Sequence, residues 1–232
     1  TWLVIGKETK LPIVNSEVFN TGYANEGGVE GKTYLAKNIT GLWIIQQCMQ
    51  KWRKDKNDDF PWKEIDKLYH AAKEFKCFID VDDPAFVLPS SDMSKVIINY
   101  CKERSQDIPE SIGEISRCFY ESLTFKIKYN MDLLEKITNK KIELMHLVGG
   151  GINNTLLCQW ISNMMEVPVV AGPTETTSVG NLLMQLKADK QIQNVDEGRA
   201  ISLESSDIKI YEPKDQDKWQ EAYQRYLKAV KL

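Results

Sequence analysis

Three stretches place residues where a ligand bearing phosphate or hydroxyl groups can be held. The strongest is Leu144-Met145-His146-Leu147-Val148-Gly149-Gly150-Gly151-Ile152-Asn153-Asn154. An apolar strand runs into three glycines, and a helix opens directly after. Bare glycine backbone lets a ligand approach closely, and a helix N-terminus offers N–H groups and a positive dipole end. The segment suits an anion or the flat edge of a nucleotide; the bland alternative is a tight strand–helix turn. It is neither a phosphate loop of the GxxxxGK[ST] kind, since no Lys-Ser/Thr follows, nor a GxGxxG turn. The second stretch, Gly172-Pro173-Thr174-Glu175 onward, reads as a helix N-terminus capped by Thr174, with Gly180 allowing close helix packing. The third holds three glycines within five residues (Gly27, Gly28, Gly31), then Asn38 as the cap of a helix. Gln46 follows eight residues later, about 12 Å along the axis. Asn38 and Gln46 could then border one elongated cleft.

The elements that position these residues follow from periodicity. Residues 1–6 and 11–14 read as two strands of a hairpin, and 25–31 as irregular backbone. Apolar positions Ile39, Leu42, Trp43, Ile45, Met49 and Trp52 predict a helix from Asn38. Residues 55–59 read as a charged loop. Helices are expected over 61–75, with Pro61 in the first turn, and over 92–104, with a loop at 82–89 between them. The longest stripe (Ile112, Ile115, Phe119, Leu123, Ile127, Met131, Leu134, Ile137) predicts a core helix ended by 139–141. Strands at 142–148 and 167–171 alternate with helices at 153–165 and 174–188, and a last helix covers 215–230. Strand–turn–helix twice over indicates one α/β domain with the long helix packed on its sheet.

Composition narrows the function classes. Hydrophobic residues at 42% and charged residues at 27% are those of a globular domain. A net charge of -3 argues against a general nucleic-acid binder. No apolar run reaches the ~18 residues of a membrane span. The opening Thr-Trp-Leu-Val-Ile-Gly has no basic leader, so it does not read as a signal peptide, and it lacks an initiator Met, as a fragment would. Five cysteines, Cys48, Cys77, Cys101, Cys118 and Cys158, show no close metal-ligand spacing and read as buried thiols of a reducing, cytoplasmic compartment. Cys101 and Cys118 stand near facing ends of consecutive helices and are expected to be the closest pair; two separate buried thiols is the competing reading. His146, inside an apolar run, reads as a strand residue and not a catalyst.

The order of segments resembles the carboxy-terminal half of the FGGY carbohydrate kinases. The resemblance is carried by Thr1-Trp2 with Leu-Val-Ile-Gly, Asn25-Glu26-Gly27-Gly28, Lys37-Asn38-Ile39-Thr40-Gly41-Leu42-Trp43, Gly149-Gly150-Gly151 and Gly172-Pro173-Thr174-Glu175. It covers nearly all of residues 1–232. The Asn-Glu-Gly-Gly and Lys-Asn-Ile runs are similar to the branch that phosphorylates rhamnulose.

The resemblance implies a ribonuclease-H-like, actin-like ATPase scaffold: an α/β domain with a mixed sheet and helices on both faces. It implies that Thr1 meets the ATP phosphates, that Gln46 contacts ATP, and that Gly149, Gly150, Gly151 and Asn154 surround the adenosine. Asn38 matches a sugar-contacting position. ATP with Mg2+ is the implied donor and a ketose, L-rhamnulose, the acceptor. The family's catalytic aspartate and most of its sugar contacts precede the segment that begins at Thr1. This half is therefore expected to be inactive without its amino-terminal domain, with neither nucleic acid nor membrane as a partner. Two other readings remain open: an FGGY kinase for xylulose, ribulose, fuculose or glycerol, and a non-catalytic nucleotide-binding regulator on the same scaffold.

Overall fold

The computed structural model describes residues 2–56 and 60–232. Among the described residues six strands occur: β1 (Trp2–Thr9), β2 (Ala24–Gly27), β3 (Thr33–Thr40), β4 (Met145–Leu147), β5 (Val169–Ala171) and β6 (Lys209–Tyr211). The helices are α1 (Ser16–Thr21), α2 (Trp43–Lys56), α3 (Trp62–Ala71), α4 (Met93–Glu103), α5 (Ile112–Thr138), α6 (Thr155–Met165), α7 (Thr176–Ala188), α8 (Val195–Glu204) and α9 (Gln216–Val230). The strands form two three-stranded sheets, ordered β1–β3–β2 and β4–β5–β6. No helix among the described residues is long and apolar enough to cross a membrane.

Several expectations need correction. Residues 11–14 are not a strand; Leu11 and Val14 are exposed. Ile13 instead exchanges two hydrogen bonds with one side chain: its N–H donates to Asn25 Oδ1 (3.0 Å) and its carbonyl accepts from Asn25 Nδ2 (2.8 Å). A single amide side chain thus satisfies the backbone that a partner strand was expected to satisfy. Asn38 does not cap a helix; it lies in β3, and the helix starts only at Trp43. The apolar residues Leu35, Ala36 and Ile39 of β3 are buried, and β2 pairs antiparallel to this strand through Ala24↔Ala36 and Gly27↔Thr33. Asp55 and Lys56 extend α2, and the rest of the expected charged loop, 57–59, lies outside the described residues. Pro61 stands just before α3. Residues 25–27, read as irregular backbone, belong to strand β2, and no sequence pattern marks helices α1 and α8 or strand β6.

The chain divides into two compact units, one of Thr1–Ile5, Asn38–Asn130 and Asp217–Leu232, the other of Gly6–Lys37 and Met131–Gln216. In the first, α5 packs against helices. Its Tyr120 ring lies 5.0 Å from Tyr69 of α3, and its Phe125 ring lies 5.6 and 5.3 Å from Trp219 and Tyr226 of α9. Polar side chains of α5 are buried too, and they hold the segment after α3. Arg117 pairs with Glu121 at 2.7 Å and donates to the carbonyls of Tyr69 (3.1 Å) and Ala72 (3.0 Å), which end α3. Glu121 accepts the Phe75 N–H (2.9 Å), Ser122 the Ile79 N–H (2.9 Å). These bonds replace a sheet partner for backbone that would otherwise be buried unsatisfied.

Burial pushes the Glu121 carboxyl up to about 7, against the opposing pull of Arg117. A raised carboxyl favours folding where it is protonated in both states, below its ordinary 4.5, and that contribution is lost as pH rises through 7. Stability should therefore fall between pH 4.5 and 7, by on the order of 3 kcal/mol from this group. Denaturant titrations across that window should show the slope in the native chain and a flatter profile in Glu121→Gln. An unchanged slope in the variant would assign it elsewhere.

In the second unit β4 and β5 run parallel (Met145↔Val169, Leu147↔Ala171), and β6 is antiparallel to β5 (Val169↔Tyr211). Helix α6 packs beside them through Leu157, Trp160, Ile161 and Met164, all buried. Its Ser162 hydroxyl donates to the Tyr211 carbonyl (2.8 Å) and its Gln159 amide to that of Glu212 (2.7 Å). Both expected strands are present but shorter, Met145–Leu147 and Val169–Ala171, and Leu144 and Val148, which flank β4, are exposed.

Candidate functional site

In the second unit the glycine triplet follows β4. Gly149 has φ 83°, in the left-handed region where a side chain is strained. Its N–H donates to the Pro173 carbonyl (3.2 Å), and the Gly172 N–H donates to the Leu147 carbonyl (2.9 Å), so the turns after β4 and β5 are tied together. A short 3-10 turn, Gly150–Asn153, leads into α6. Asn154 caps that helix, its Oδ1 accepting the Leu157 N–H at 2.9 Å.

The two turns keep their glycines for different reasons. Gly172 has φ 130°, and a Cβ there would come within 2.9 Å of Ile208 Cδ1 and 3.0 Å of the Asp207 carbonyl, so backbone conformation and crowding together disfavour a side chain there. A Cβ at Gly150 would meet nothing within 4 Å, and its φ is not positive. Neither packing nor conformation demands glycine at Gly150. What a side chain would occupy is open space next to a helix N-terminus, the geometry that accommodates an anion or a flat ring against backbone. The expected cap of α7 is corrected: Thr174 does not cap it. Glu175 occupies that position without a side-chain bond, and the Thr176 hydroxyl donates to the Pro173 carbonyl instead (2.7 Å). Gly180 is not a packing glycine either, since a Cβ there meets nothing. His146 is an exposed strand residue of β4.

In the first unit a cavity of about 460 Å3 is lined by Trp2, Thr40, Trp43, Gln46, Phe86 and Val87. Gln46, on the second turn of α2, reaches it. Asn38 is exposed on β3, two residues before Thr40, and is not part of the lining. The wall opposite α2 is a loop that a polar lattice holds in place. Asp82 accepts the Thr40 N–H at 2.7 Å, and Lys126 of α5 binds Asp80 (2.7 Å) and Asp82 (3.4 Å). Asp83 caps the turn Pro84–Phe86 through the Ala85 N–H (3.0 Å) and pairs with Arg104 (3.0 Å). Arg104 in turn stacks on the Tyr100 ring, 3.5 Å from its centroid. Phe86 is fully buried beneath Val87 in sequence, which is exposed. The cavity is therefore lined by apolar and aromatic residues, with Thr40 and Gln46 as its polar ones, the composition of a small-molecule site. Thr1 lies outside the described residues. Sequence reasoning missed Thr40 and Trp43, although they share the run that carries Asn38. It also missed Phe86 and Val87, which no periodicity marks.

This fold and these turns define a class. Residues 1–188 match the C-terminal domain of the FGGY family of carbohydrate kinases, and the chain belongs to that family. Over 231 residues it is 34% identical to the rhamnulokinase of Bacteroides thetaiotaomicron, covering 100% of this chain and 46% of that protein. It is 36% identical to that of Bacillus subtilis, covering 99% and 47%. The chain spans about half the length of the curated relatives it matches. Among solved structures, a ligand-bound xylulose kinase from Lactobacillus acidophilus superposes with TM-score 0.70 at 14% identity, over 97% of this chain and 44% of that one. The glycerol kinase of Plasmodium falciparum with ADP gives 0.68 at 17%, over 99% and 44%. The actin-like ATPase fold expected from the motifs is thus the fold of its relatives.

Proposed function

We propose that residues 1–232 form the ATP-binding, carboxy-terminal half of a rhamnulokinase, which transfers the γ-phosphoryl group of ATP to the 1-hydroxyl of L-rhamnulose. The observation that carries the nucleotide site is the open space over Gly150, at the start of the short 3-10 turn that leads into α6. The whole-chain similarity to rhamnulokinases supports the sugar.

Gly149, Gly150 and Gly151 present backbone to the adenosine, with Asn154 holding the helix end beneath it. Gln46 contacts ATP, Thr1 the phosphates and Asn38 the sugar. The hydroxyl proton passes to an aspartate of the amino-terminal half, the oxygen attacks the γ-phosphorus, and ADP leaves. Mg2+ would travel with the ATP and neutralise phosphate charge. Among the described residues no three carboxylates converge, so it would be held by phosphate oxygens, water and the other half. Five free, buried thiols suit a cytoplasmic protein.

A coupled ADP-release assay tests this. The chain alone should turn over no ketose above background, because base and opposite wall are absent. Joined to its amino-terminal half it should prefer L-rhamnulose over xylulose, ribulose, fuculose and glycerol. Sugar-dependent ADP release by the 232-residue chain would place the base within it, and preference for another acceptor would reassign the substrate.

A further inference from the structure

Three of the five cysteines converge. Cys77 comes from the segment between α3 and α4, Cys101 from α4 and Cys118 from α5, and their three sulfurs lie within 4.8 Å of one another. All three are free and no more than 2% exposed. Three sulfurs no more than 4.8 Å apart lie at most about 2.8 Å from a common centre, against a thiolate–metal bond of roughly 2.3 Å, so one small central atom can touch all three with little movement. Among the described residues no carboxylate or imidazole joins the group.

Charge then selects the central atom. A monovalent soft cation on three thiolates leaves two net negative charges in the interior. A divalent one leaves one, and zinc also lacks its fourth ligand. Burying such charge without a partner costs several kcal/mol. Arg104, whose charge bears on Cys101, is already paired with Asp83 at 3.0 Å. A trivalent, three-coordinate centre gives a neutral complex and needs neither a counter-ion nor a fourth ligand.

We propose that Cys77, Cys101 and Cys118 form a binding site for trivalent arsenic, which takes up arsenous acid as a neutral tris-thiolate. Three As–O bonds break and three As–S bonds form. The three thiol protons leave with the three hydroxyls as water, and no oxidation state changes. The adduct would staple the segment bearing Asp80 and Asp82 to α4 and α5, and uptake follows local opening because the trio is buried.

The test is mass spectrometry of the intact chain after overnight incubation with sodium arsenite and a phosphine reductant. The expected result is a single adduct heavier by one arsenic atom less three hydrogens, which distinguishes three-sulfur from two-sulfur binding, where a hydroxyl stays on arsenic. Cys77→Ala, Cys101→Ala and Cys118→Ala should each lose it, and Cys48→Ala and Cys158→Ala should keep it. Arsenic X-ray absorption on the unaltered chain, which depends on no variant folding, should show three sulfur neighbours and no oxygen. No adduct, the same adduct in Cys118→Ala, or oxygen in the arsenic shell each overturns the proposal.

Discussion

Gly150→Val should fold with nearly unchanged stability and bind ATP about ten- to hundredfold more weakly in the joined, two-half enzyme. The expected loss corresponds to the roughly 1–3 kcal/mol of forcing added methyl groups into occupied space. The asymmetry between fold and ligand is the point of the substitution. A Cβ at Gly150 meets no protein atom within 4 Å, so nothing in the apo structure resists it. Only a ligand lying on that backbone would be displaced. Gly172→Val serves as the contrast: its Cβ would fall 2.9 Å from Ile208 and its φ is 130°, so that protein should lose stability instead. Calorimetry with ATP and with L-rhamnulose on the folded Gly150 variant separates the effects. Unchanged ATP affinity removes the nucleotide from this turn, and an equal loss for the sugar would indicate a general distortion.

Arg117→Ala should destabilise the chain by about 3–5 kcal/mol, the usual cost of breaking a buried ion pair from one side. The guanidinium is 5% exposed, and its partner Glu121 is 1% exposed. Removing it leaves the buried Glu121 carboxyl without its cation and takes one donor from each of the Tyr69 and Ala72 carbonyls, of which the Tyr69 carbonyl keeps the Ala72 N–H at 3.3 Å. The flexible end of the ion-pair network behaves differently. Glu74, 49% exposed, also binds Arg117, at 3.0 Å, and its replacement by alanine should cost no more than about 1 kcal/mol. Equilibrium urea unfolding of both variants checks the pair of values. A loss below about 1 kcal/mol for Arg117→Ala would mean that water reaches Glu121 and that the segment after α3 has another anchor.

The sequence by itself determined the features whose cause is local. The glycine triplet between a strand and a helix and the apolar stripe of α5 each rest on a backbone conformation or a periodicity within a few residues, and each is found where those residues stand. The order of the five motifs indicated the family, because each motif is short and their sequence along the chain is specific. The sequence also brought Cys101 and Cys118 together, since consecutive helices joined by a short loop leave few alternatives. Tertiary structure alone decided the rest. Asn38 stands in a strand although apolar residues recur after it at helical spacing, because β3 has β2 to pair with and a buried face to fill. Residues 11–14 have strand-like composition but obtain their hydrogen bonds from Asn25, a side chain twelve residues away from Ile13. The loop that walls the cavity depends on Lys126, and the segment after α3 on Arg117 and Glu121, over separations of more than forty residues. Cys77 joins the other two thiols by the same route, on a segment held by α5. No local pattern encodes such contacts. They follow from which polar groups burial leaves without water, and that is settled only when the helices have packed.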